Sequence, residues 1–510
     1  LTDVNGLDCE GDIQENLEEL CGIKKGFEET YENIVIAKQN EFINIFKAKP
    51  KDREEIFNKI FNTQIYKEMY DSFLKEAVDK YKEKVKEIRK VLKEKGADYN
   101  IISSLDDIAW IYNFRGCDII HNPVALSFTI ISEKKSTLYI NEKKLDKKAQ
   151  KYFKDNKIEV KEYFEFFKDI KKLKGSILVD FNKISYAIYE AISKNALINS
   201  MNPSTYLKAH KNETEIANTK EIHIQDGVAI VKFMYWLKNN YKKENITEFS
   251  AEQKINSLRK EIEGYLDLSF HTISAFGKNA AMMHYSAPEK KSAKIEDGVY
   301  LLDSGGTYLK GTTDITRTFF LRKVSKQEKI DNTLVLKGML ALSRAKFLFG
   351  ATGTNLDILA RQFLWNVGID YKCGTGHGVG HILNVHEGPH GIRFQYNPQR
   401  LEAGMIVTNE PGAYIEGSHG IRIENELLVK EACETEYGKF LNFETITYAP
   451  IDLDGIVKTL LTKEEKQKIE QIKKSSLNKW VKFDKIEKIK QNAVNKNIEI
   501  IYKDFFNSYK

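Results

Sequence analysis

A chain of 510 residues is longer than one hydrophobic core usually supports, so its length predicts two or more domains. Apolar residues make up 42% of the sequence, which is enough for ordinary globular packing. The net charge is only +6, from 79 basic and 73 acidic residues, and the lysines stand among glutamates along helical stretches. We therefore expect a solvated surface and no nucleic-acid groove, which would need clustered basic residues with aromatic side chains between them.

The cysteines are few and scattered, with no CxxC pair: Cys9, Cys21, Cys117, Cys373 and Cys433. Such a set argues for a reducing compartment and against a disulfide scaffold or a thiolate zinc site. No apolar run approaches the roughly 20 residues of a membrane span, so we expect no membrane partner. The start, Leu1-Thr2-Asp3, lacks the basic and apolar regions of a signal peptide, and a chain without an initial Met suggests processing or a fragment.

The first 90 residues are highly charged, with Ile, Phe and Leu at helical spacing, which predicts a helical amino-terminal segment or a truncated domain, and no chemistry. From Asp98 onward the pattern changes. Tyr99–Ile102 predicts a strand, and Ser104–Trp110 predicts the start of a capped helix. Short apolar runs that predict further strands follow at residues 126–131, 137–140 and 176–179. Strands alternating with helices indicate a small α/β domain over residues 91–208.

The next stretch, residues 209–455, predicts a second domain that begins with a long helix, Glu213–Leu237. A second, amphipathic helix is predicted by apolar residues at i, i+3, i+4, i+7 and i+8, which are Leu356, Leu359, Ala360, Phe363 and Leu364. The predicted strands are Tyr300–Leu302, Thr316–Leu321, Met405–Thr408 and Ile421–Val429. A looped turn with Gly305-Gly306 joins the first two strands. Residues 456–510 are Lys-rich and predict a helical tail, and their sequence indicates no function.

Two aspartates flank the looped turn. Asp303 lies in Leu302-Asp303-Ser304-Gly305-Gly306 and Asp314 in Thr313-Asp314-Ile315-Thr316-Arg317. Two strands with glycines between them can turn both carboxylates toward one pocket. An isolated Asp at a strand end is usually a turn or cap residue, but the later motifs favour a shared ligand set.

A glycine-rich run, Cys373-Gly374-Thr375-Gly376-His377-Gly378-Val379-Gly380, carries a candidate histidine. His377 and His381 are four residues apart, as in the two-histidine zinc motif, but that motif needs a helix and a Glu after the first His. Gly378 stands there, and the glycines discourage a helix, so we reject a zincin and expect His381 to be a bystander. The glycines instead let the backbone approach a ligand or metal closely.

Three later motifs add polar groups. His386 precedes Glu387-Gly388-Pro389, a turn sequence in which a histidine is more often solvated than catalytic. Glu410 precedes Pro411, which imposes an extended backbone on it. Arg422 and Glu424 are separated by one residue in a predicted strand, so both face the same side. A buried arginine there would hold a metal-bound carboxylate by a bidentate bond.

These motifs supply an oxygen-rich donor set with one imidazole: Asp303, Asp314, His377, Glu410 and Glu424. Such donors suit Mn²⁺, Co²⁺ or Zn²⁺ better than a thiolate site would. Two divalent ions roughly 3.5–4 Å apart can share a hydroxide and ionise it near neutral pH. Neutral histidines nearby can donate to a developing oxyanion and move protons. We therefore predict one hydrolytic site that holds two metal ions.

Residues 95 to about 460 resemble the metal-dependent X-Pro aminopeptidases (aminopeptidase P) of the pita-bread metallopeptidase family, most of all the long cytosolic form. Beyond the metal motifs, the matching stretches are Ser104-Leu105-Asp106-Asp107-Ile108-Ala109-Trp110, Asn113-Phe114-Arg115-Gly116, Asn279-Ala280-Ala281-Met282-Met283-His284-Tyr285 and Tyr448-Ala449-Pro450-Ile451-Asp452-Leu453. The fourteen residues from Glu410 to Glu424 favour aminopeptidase P over methionine aminopeptidase.

The resemblance implies an α/β (α+β) fold, with a small creatinase-type α/β domain over residues 91–208 before a pita-bread catalytic domain over residues 209–455. That catalytic domain would have an internal pseudo-twofold, with Asp303 and Asp314 in one half and His377, Glu410 and Glu424 in the other. The resemblance further implies a cytoplasmic homodimer that holds two divalent ions, with Mn²⁺ favoured over Co²⁺ and Zn²⁺.

Roles for single residues also follow from the resemblance. Asp303 and Glu424 are implied as metal ligands, with Asp314 chelating one ion and His377 as the imidazole ligand. Glu410 is the ligand placed to act as base toward the bridging water. Two substrate-side histidines, His284 and His386, would stabilise the tetrahedral intermediate and hold the proline-side carbonyl. Arg422, with Tyr414, matches a group that steadies Asp303.

Two departures from the family pattern bear on function. Long members have a further amino-terminal domain that contributes an arginine to the substrate site, and residues 1–90 are too short and too helical to match it. Cys373 stands four residues before His377, where many members carry a histidine. We expect a packed structural thiol with a moderate effect on rate or metal preference.

The leading hypothesis is an exopeptidase that removes the first residue from peptides whose second residue is proline. The ligand set alone does not distinguish this enzyme from prolidase, which cuts dipeptides. The motif Asp106–Gly116 and the ending Tyr448–Leu453 favour the aminopeptidase. A hypothesis from another class is a catalytically silent pita-bread binding module, but such proteins lose ligands and all five stand in this sequence.

Overall fold

The computed structural model describes residues 75–472 and residue 474, with side chains from residue 81 onward. The predicted segment 1–90 and tail 456–510 therefore lie largely outside the described residues. Of them, the structure gives helix α1 (Lys75–Glu94) and a helical stretch at residues 463–472. In the described part of the chain, every helix is too short or too polar to cross a membrane.

Six strands form one mixed sheet in the first domain, in the order β4-β3-β2-β1-β5-β6. They are β1 (Tyr99–Ile102), β2 (Ser127–Ser132), β3 (Ser136–Ile140), β4 (Glu159–Lys161), β5 (Ser176–Val179) and β6 (Ala196–Asn199). The helices of this domain are α2 (Leu105–Tyr112), α3 (Lys147–Asp155), α4 (Phe166–Asp169), α5 (Tyr186–Ile192) and α6 (Pro203–Ala209). The predicted strands at residues 99–102 and 176–179 match β1 and β5, which confirms them.

Aromatic packing closes one face of this sheet. Ile101, Ile177 and Val179 have no exposed surface and belong to one cluster with Phe166. The Phe166 ring stacks on Phe128, with centroids 4.1 Å apart. Burial of such large rings is the main stabilising contribution in a small α/β layer.

The second domain has two halves of similar make-up. The first half comprises helices α7 (Glu213–Asn240) and α8 (Glu248–Lys260) and two three-stranded sheets, β12-β9-β8 and β11-β10-β7. Its strands are β7 (Tyr265–Leu268), β8 (Ile273–Phe276), β9 (Gly298–Ser304), β10 (Gly306–Tyr308), β11 (Gly311–Thr312) and β12 (Ile315–Leu321). Asn212 and Glu215 form a capping box at the start of α7, which explains where the predicted long helix begins.

The second half comprises helices α9 (Lys326–Ser343) and α10 (Gly353–Trp365) and a four-stranded antiparallel sheet, β13-β20-β19-β16. Its strands are β13 (Lys346–Leu348), β14 (Gly376–His377), β15 (Gly391–Ile392), β16 (Ile406–Asn409), β17 (Gly412–Ile415), β18 (His419–Arg422), β19 (Asn425–Thr435) and β20 (Gly438–Thr445). The pairs β14-β15 and β17-β18 form small two-stranded sheets. The pseudo-twofold and the four domain boundaries stay predictions.

Two glycines allow close backbone contacts next to the predicted ligands. A Cβ on Gly305 would lie 1.9 Å from the carbonyl oxygen of Thr313, one residue before Asp314. A Cβ on Gly376 would lie 1.9 Å from the carbonyl oxygen of Thr408, and Gly376 precedes His377. Any side chain at either position would force these segments apart, so both glycines are required by the packing.

One predicted strand is wrong. The run Ile421–Val429 is two strands, because β18 ends at Arg422 and β19 begins at Asn425. Between them, the Ile423 N–H donates to Pro411 O (3.4 Å) and the Glu424 N–H donates to Thr316 O (3.1 Å). The chain changes hydrogen-bonding partners at this point, so Arg422 and Glu424 do not share the alternation of one continuous strand.

Candidate active site

The two aspartates lie where β9 and β12 pair. Asp303 is near the end of β9 and opposite Thr316, while Asp314 immediately precedes β12. Both side chains are buried. The Asp314 N–H donates to Oε1 of Glu426 (2.9 Å), which fixes the backbone of Asp314. The antiparallel register therefore places both carboxylates on one side of the first half.

His377 ends the short strand β14, and its ring orientation is set locally. Its Nδ1 lies 3.0 Å from the carbonyl oxygen of Gly378, which can only accept, so Nδ1 carries the proton. Nε2 is left as a donor of its lone pair. It lies 3.4 Å from Asp314 Oδ2 and 3.5 Å from Glu410 Oε1. This is the tautomer that a metal-binding histidine requires.

Glu410 and Glu424 complete the second half of the cluster. The Glu410 N–H donates to Thr375 O (2.7 Å), and its Oε1 accepts from the Thr408 hydroxyl (3.1 Å). The Glu424 Oε2 accepts from the hydroxyl of Thr316 (2.8 Å), which belongs to β12 in the other half. Hydroxyl donors thus orient both carboxylates without neutralising their charge.

The five predicted ligands converge in space. Ligand atoms within 4.8 Å of one another define three groups: Asp303, Asp314 and Glu424; His377, Glu410 and Glu424; and Asp314, His377 and His386. Asp314, His377 and Glu424 each belong to two groups, so the three groups overlap. Donors separated by more than 100 residues in sequence therefore surround one small volume.

The charges in this volume are unbalanced. Burial, together with the repulsion of Asp303 and Glu410, raises the pKa of Asp314 well above its ordinary value. Burial and the neighbouring Asp314 raise the pKa of Glu424 in the same way, and burial raises that of Glu410. Oδ1 of Asp303 is buried and has no hydrogen-bond partner among the described residues. An oxygen-rich cluster with an unpartnered carboxylate oxygen fits divalent cations.

Arg422 is the cation next to this cluster. It donates from Nη2 to Asp303 Oδ2 (2.5 Å), from Nη1 to the Tyr414 hydroxyl (2.6 Å) and from Nε to the Thr316 hydroxyl (3.1 Å). The predicted contact with Asp303 and Tyr414 is present, but the predicted bidentate bond is wrong. The guanidinium uses one N–H of Nη2 on Asp303, while Nη1 and Nε bond to Tyr414 and Thr316.

The two predicted substrate-side histidines lie at the surface of the cluster. The His386 ring meets His377 edge to face, with centroids 4.3 Å apart. Burial of part of the ring and the adjacent His377 lower the pKa of His386 to about 4, so the ring is neutral at physiological pH. His284 lies in an exposed turn after a 3-10 helix, Gly277–Ala281, and is close enough for its charge to lower the pKa of His386.

Two further residues of the glycine-rich run lie outside the ligand groups. The His381 Nδ1 is 3.1 Å from the hydroxyl of Thr219 on α7, and burial lowers its pKa to about 4. Cys373 is half-buried and packs against an apolar cluster that includes Tyr371. Burial and the nearby Glu410 raise the pKa of Cys373 to about 11, so the thiol stays protonated.

Three residues that orient the ligands were not predicted: Thr316, Thr408 and Glu426. Thr316 and Thr408 each lie two residues from a predicted ligand, so the period of two in a strand was a signal for both. Glu426 holds Asp314, and its Oε2 lies 3.1 Å from Nε2 of the buried His223. His223 is remote in sequence, and its position on the long helix α7 carries no local signal for this contact.

A cavity of about 740 Å³ begins at His377 and His386 and extends along the first domain. Its walls include Asp106, Asp180, Lys183 and Met201 from the first domain and Pro389, Arg393 and Asn397 from the second. The cavity therefore reaches the cluster at His377 and is large enough for a small peptide.

Comparison with known proteins assigns this arrangement to a family. Residues 217–431 match the model of metallopeptidase family M24, residues 67–215 match the creatinase/prolidase N-terminal domain, and residues 439–482 match the C-terminal region of peptidase M24. Xaa-Pro aminopeptidase 1 of Dictyostelium discoideum is 40% identical over 449 residues, which are 86% of this chain and 69% of that protein. The chain belongs to metallopeptidase family M24. The predicted family and the enzyme class, a metal-dependent hydrolase, are confirmed.

Other members of the family give the same result. The probable Xaa-Pro aminopeptidase P of Pyricularia oryzae is 41% identical over 78% of this chain and 68% of that protein. Among solved structures, an X-prolyl aminopeptidase from Caenorhabditis elegans, described as a cytosolic enzyme with a di-nuclear active site, superposes with a TM-score of 0.75 at 36% identity. It covers 79% of this chain, which spans 68% of its length. The predicted fold class is confirmed.

A dipeptidase of the same fold is less similar. The Xaa-Pro dipeptidase from Bacillus anthracis superposes with a TM-score of 0.57 at 26% identity, over 73% of this chain and 99% of that one. The prolidase alternative is therefore not favoured.

Proposed function

We propose that this M24 protein is a dinuclear-metal aminopeptidase that releases the amino-terminal residue from peptides whose second residue is proline. The observation that carries the proposal is the convergence of five donors in three overlapping groups, with Oδ1 of Asp303 buried and unpartnered among the described residues. The 40% identity to an Xaa-Pro aminopeptidase supports the choice of substrate.

The donor groups suggest how two ions are held. Asp303, Asp314 and Glu424 would hold one ion, and His377, Glu410 and Glu424 would hold the other, with Asp314 reaching both. Four carboxylates and one imidazole favour Mn²⁺, with Co²⁺ or Zn²⁺ as alternatives. Bound divalent ions would supply Lewis-acid polarisation of the scissile carbonyl and a water molecule of lowered pKa.

Glu410 is the proposed general base. The Thr408 hydroxyl fixes Oε1, and burial raises the pKa of the carboxyl, so Glu410 is suited to take a proton from the attacking water and return it to the leaving proline nitrogen. Arg422 holds Asp303 in place during these transfers. It remains charged, because Tyr414, Asp303 and Glu410 together outweigh the effect of burial and raise its pKa.

His386 and His284 are the proposed substrate-side residues. A pKa of about 4 keeps the His386 ring neutral, so one ring nitrogen carries a proton that it can donate to a substrate oxygen. His284 lies nearby in the exposed turn and would bind the carbonyl on the proline side. Both would act as hydrogen-bond donors to the substrate.

The long cavity supports peptides over dipeptides as substrates. With the peptide amino end at the donor cluster, residues after proline would occupy the volume that runs along the first domain. An X-Pro dipeptide would leave most of that volume unfilled.

We also propose a cytoplasmic homodimer. The scattered cysteines, of which Cys117, Cys373 and Cys433 form no disulfide among the described residues, and the cytosolic relative from Caenorhabditis elegans support that compartment. The dimer follows only from the family resemblance.

The test is a peptide panel under several divalent metals. We expect release of the first residue from a Pro-second tripeptide after loading with Mn²⁺, and much slower cleavage of the matched Gly-second tripeptide. Equal cleavage of both tripeptides, or cleavage of X-Pro dipeptides only, would contradict the proposal.

A further inference from the structure

The loop of residues 378–389, which carries His386, is bonded to the first domain. Arg115, three residues after α2, donates from Nε to the carbonyl oxygen of Ile382 (2.5 Å) and from Nη2 to that of His381 (3.2 Å). Leu383 is buried against Ala109 of α2 and Val124. The position of this loop therefore depends on a domain that supplies none of the five proposed metal ligands.

Two hydrogen bonds lead from α2 to His386 itself. Asp106, in the first turn of α2, accepts the backbone N–H of Asn384 at Oδ1 (3.0 Å). The side chain of Asn384 accepts the backbone N–H of His386 at its own Oδ1 (2.9 Å). The Asp106 carboxylate thus fixes Asn384, and Asn384 fixes the backbone from which the His386 ring projects.

The two hydrogen bonds end at His386, whose ring has little room to move. His386 is held edge to face against His377, and both rings line the cavity together with Asp106 and Asn384. A displacement of about 1 Å in a group that contacts the reacting atoms can cost roughly 100-fold in rate. A shift of the His386 backbone would therefore lower the rate of the chemical step.

We infer that Asp106 is a positioning residue for His386, acting through Asn384. The inference rests on the proposed function, because it takes His386 as a substrate-side histidine. The first domain then contributes to the rate of the reaction in addition to forming a wall of the cavity.

Ion pairs hold the loop at Glu387 independently of Asp106. An effect of Asp106 on the position of His386 can therefore be separated from an effect on folding. Glu387 is buried and paired with Lys211 Nζ at 2.8 Å and with Lys208 Nζ at 3.1 Å. Removal of the Asp106 carboxylate leaves these ion pairs and the Arg115 bonds intact. The Asp106→Ala variant is therefore expected to fold with its loop in place and with the His386 backbone less restrained.

The first experiment compares kinetics in a set of variants of the metal-loaded full chain. For Asp106→Ala and Asn384→Ala we expect kcat to fall about 10-fold with KM changed less than about threefold, because the lost contact matters in the transition state. Asp106→Asn and Asn384→Asp keep an acceptor oxygen and should restore kcat to within about threefold of the wild type. The metal content of all variants should equal that of the wild type.

Asp146→Ala is the matched control. Asp146 accepts the N–H of Ala149 (2.7 Å) at the start of α3, so the variant loses a carboxylate–backbone bond in the same domain but away from the loop. Its kcat should be unchanged. An equal fall in kcat for Asp146→Ala and Asp106→Ala would assign the effect to domain stability and overturn the inference.

A double-mutant cycle decides whether Asp106 acts through His386. In the His386→Ala background, Asp106→Ala should lower kcat no further, since the positioned group is already gone. Losses that multiply in the double variant would overturn the inference. The cycle uses whichever peptide the wild type cleaves fastest, so a failure of the proline preference leaves this test valid.

A readout independent of turnover is the rate at which diethyl pyrocarbonate modifies His386, measured by peptide mass mapping. The exposed His271 in the same molecule is the internal reference. We expect modification of His386 to become about threefold faster or more in Asp106→Ala and Asn384→Ala, and unchanged in Asp146→Ala. An unchanged rate overturns the positioning, and a faster rate with unchanged kcat overturns its effect on the reaction.

Discussion

The proposed metal ligands and the His386 loop are held in different ways. The ligands project from paired strands and their connections inside the second domain, and short bonds from Thr316, Thr408 and Arg422 orient them. The loop has little regular structure and takes bonds from Asp106, Arg115, Lys208 and Lys211 in and around the first domain, in addition to contacts within the second domain such as that of His381 with Thr219. We therefore expect metal binding and substrate binding to be separable by mutation, because different residues orient the metal ligands and the His386 loop.

The largest expected effect lies on the metal side. Glu410→Gln keeps the shape of the side chain but removes the base, so we expect kcat to fall by about 10²–10⁴-fold while the fold and its thermal stability are kept. Stopped-time peptide assays and circular dichroism check this. Turnover within threefold of the wild type would remove Glu410 from the mechanism.

The buried ion pairs of the loop should dominate its stability. Burial alone would raise the pKa of Glu387, but Lys208 and Lys211 lower it to about 2. Glu387→Gln removes the carboxylate partner of Lys211 and leaves Lys208 with Asp107 at 3.9 Å, so the free energy of unfolding should fall by about 3–5 kcal/mol at pH 7. Urea unfolding followed by fluorescence measures this loss, with Glu402→Gln at the surface of the same domain as a milder control.

The loss of unfolding free energy in Glu387→Gln should also depend on pH. A carboxylate with a lowered pKa stabilises the fold above its ordinary value near 4.5, and that stabilisation is lost as pH falls toward about 2. The gap in unfolding free energy between the wild type and Glu387→Gln should therefore shrink as pH falls from about 4.5 toward 2. A gap that is constant across this range would mean that Glu387 is not charged in the folded protein.

An intermediate effect is expected for the cation beside the cluster. Arg422→Lys loses the bonds to Tyr414 and Thr316 even if the ammonium still reaches Asp303, so we expect metal affinity to fall about 10–100-fold. Dialysis against a chelator followed by metal analysis gives the affinity. Arg361→Lys is the control, because that arginine is equally buried and paired with Asp357 outside the ligand groups. Equal losses of metal in both variants would point to general destabilisation.

The smallest effect is expected at Cys373. The thiol is half-buried and stays protonated, so Cys373→His should change kcat or the preference among Mn²⁺, Co²⁺ and Zn²⁺ by less than about 10-fold. The assay is the same peptide panel with each metal in turn. A larger increase in kcat would show that the protein lacks a catalytic group at position 373.

The sequence predicted which five donors the fold brings together, because each of them stands in a short motif. It also predicted the helices α2, α7 and α10, but it did not predict α8 and α9, although a capping box begins each of them. It did not predict the break at Ile423, where the chain exchanges Pro411 for Thr316 as its partner. The bonds from Asp106 to Asn384 and from Lys211 to Glu387 were equally unpredictable, since they join segments 278 and 176 residues apart and depend on how two domains meet.

The division of the donors between two halves constrains when the protein can first retain its ions. Asp303 and Asp314 come from one half, whereas His377, Glu410 and Glu424 follow at least 60 residues later in the other. A nascent chain that has completed only the earlier half contains two of the five proposed ligands, Asp303 and Asp314, and lacks the ligand His377. Two carboxylates are too few to bind the ions tightly. Ion uptake should therefore mark the end of synthesis and folding, and a shortage of metal would leave finished but empty molecules rather than arrested ones.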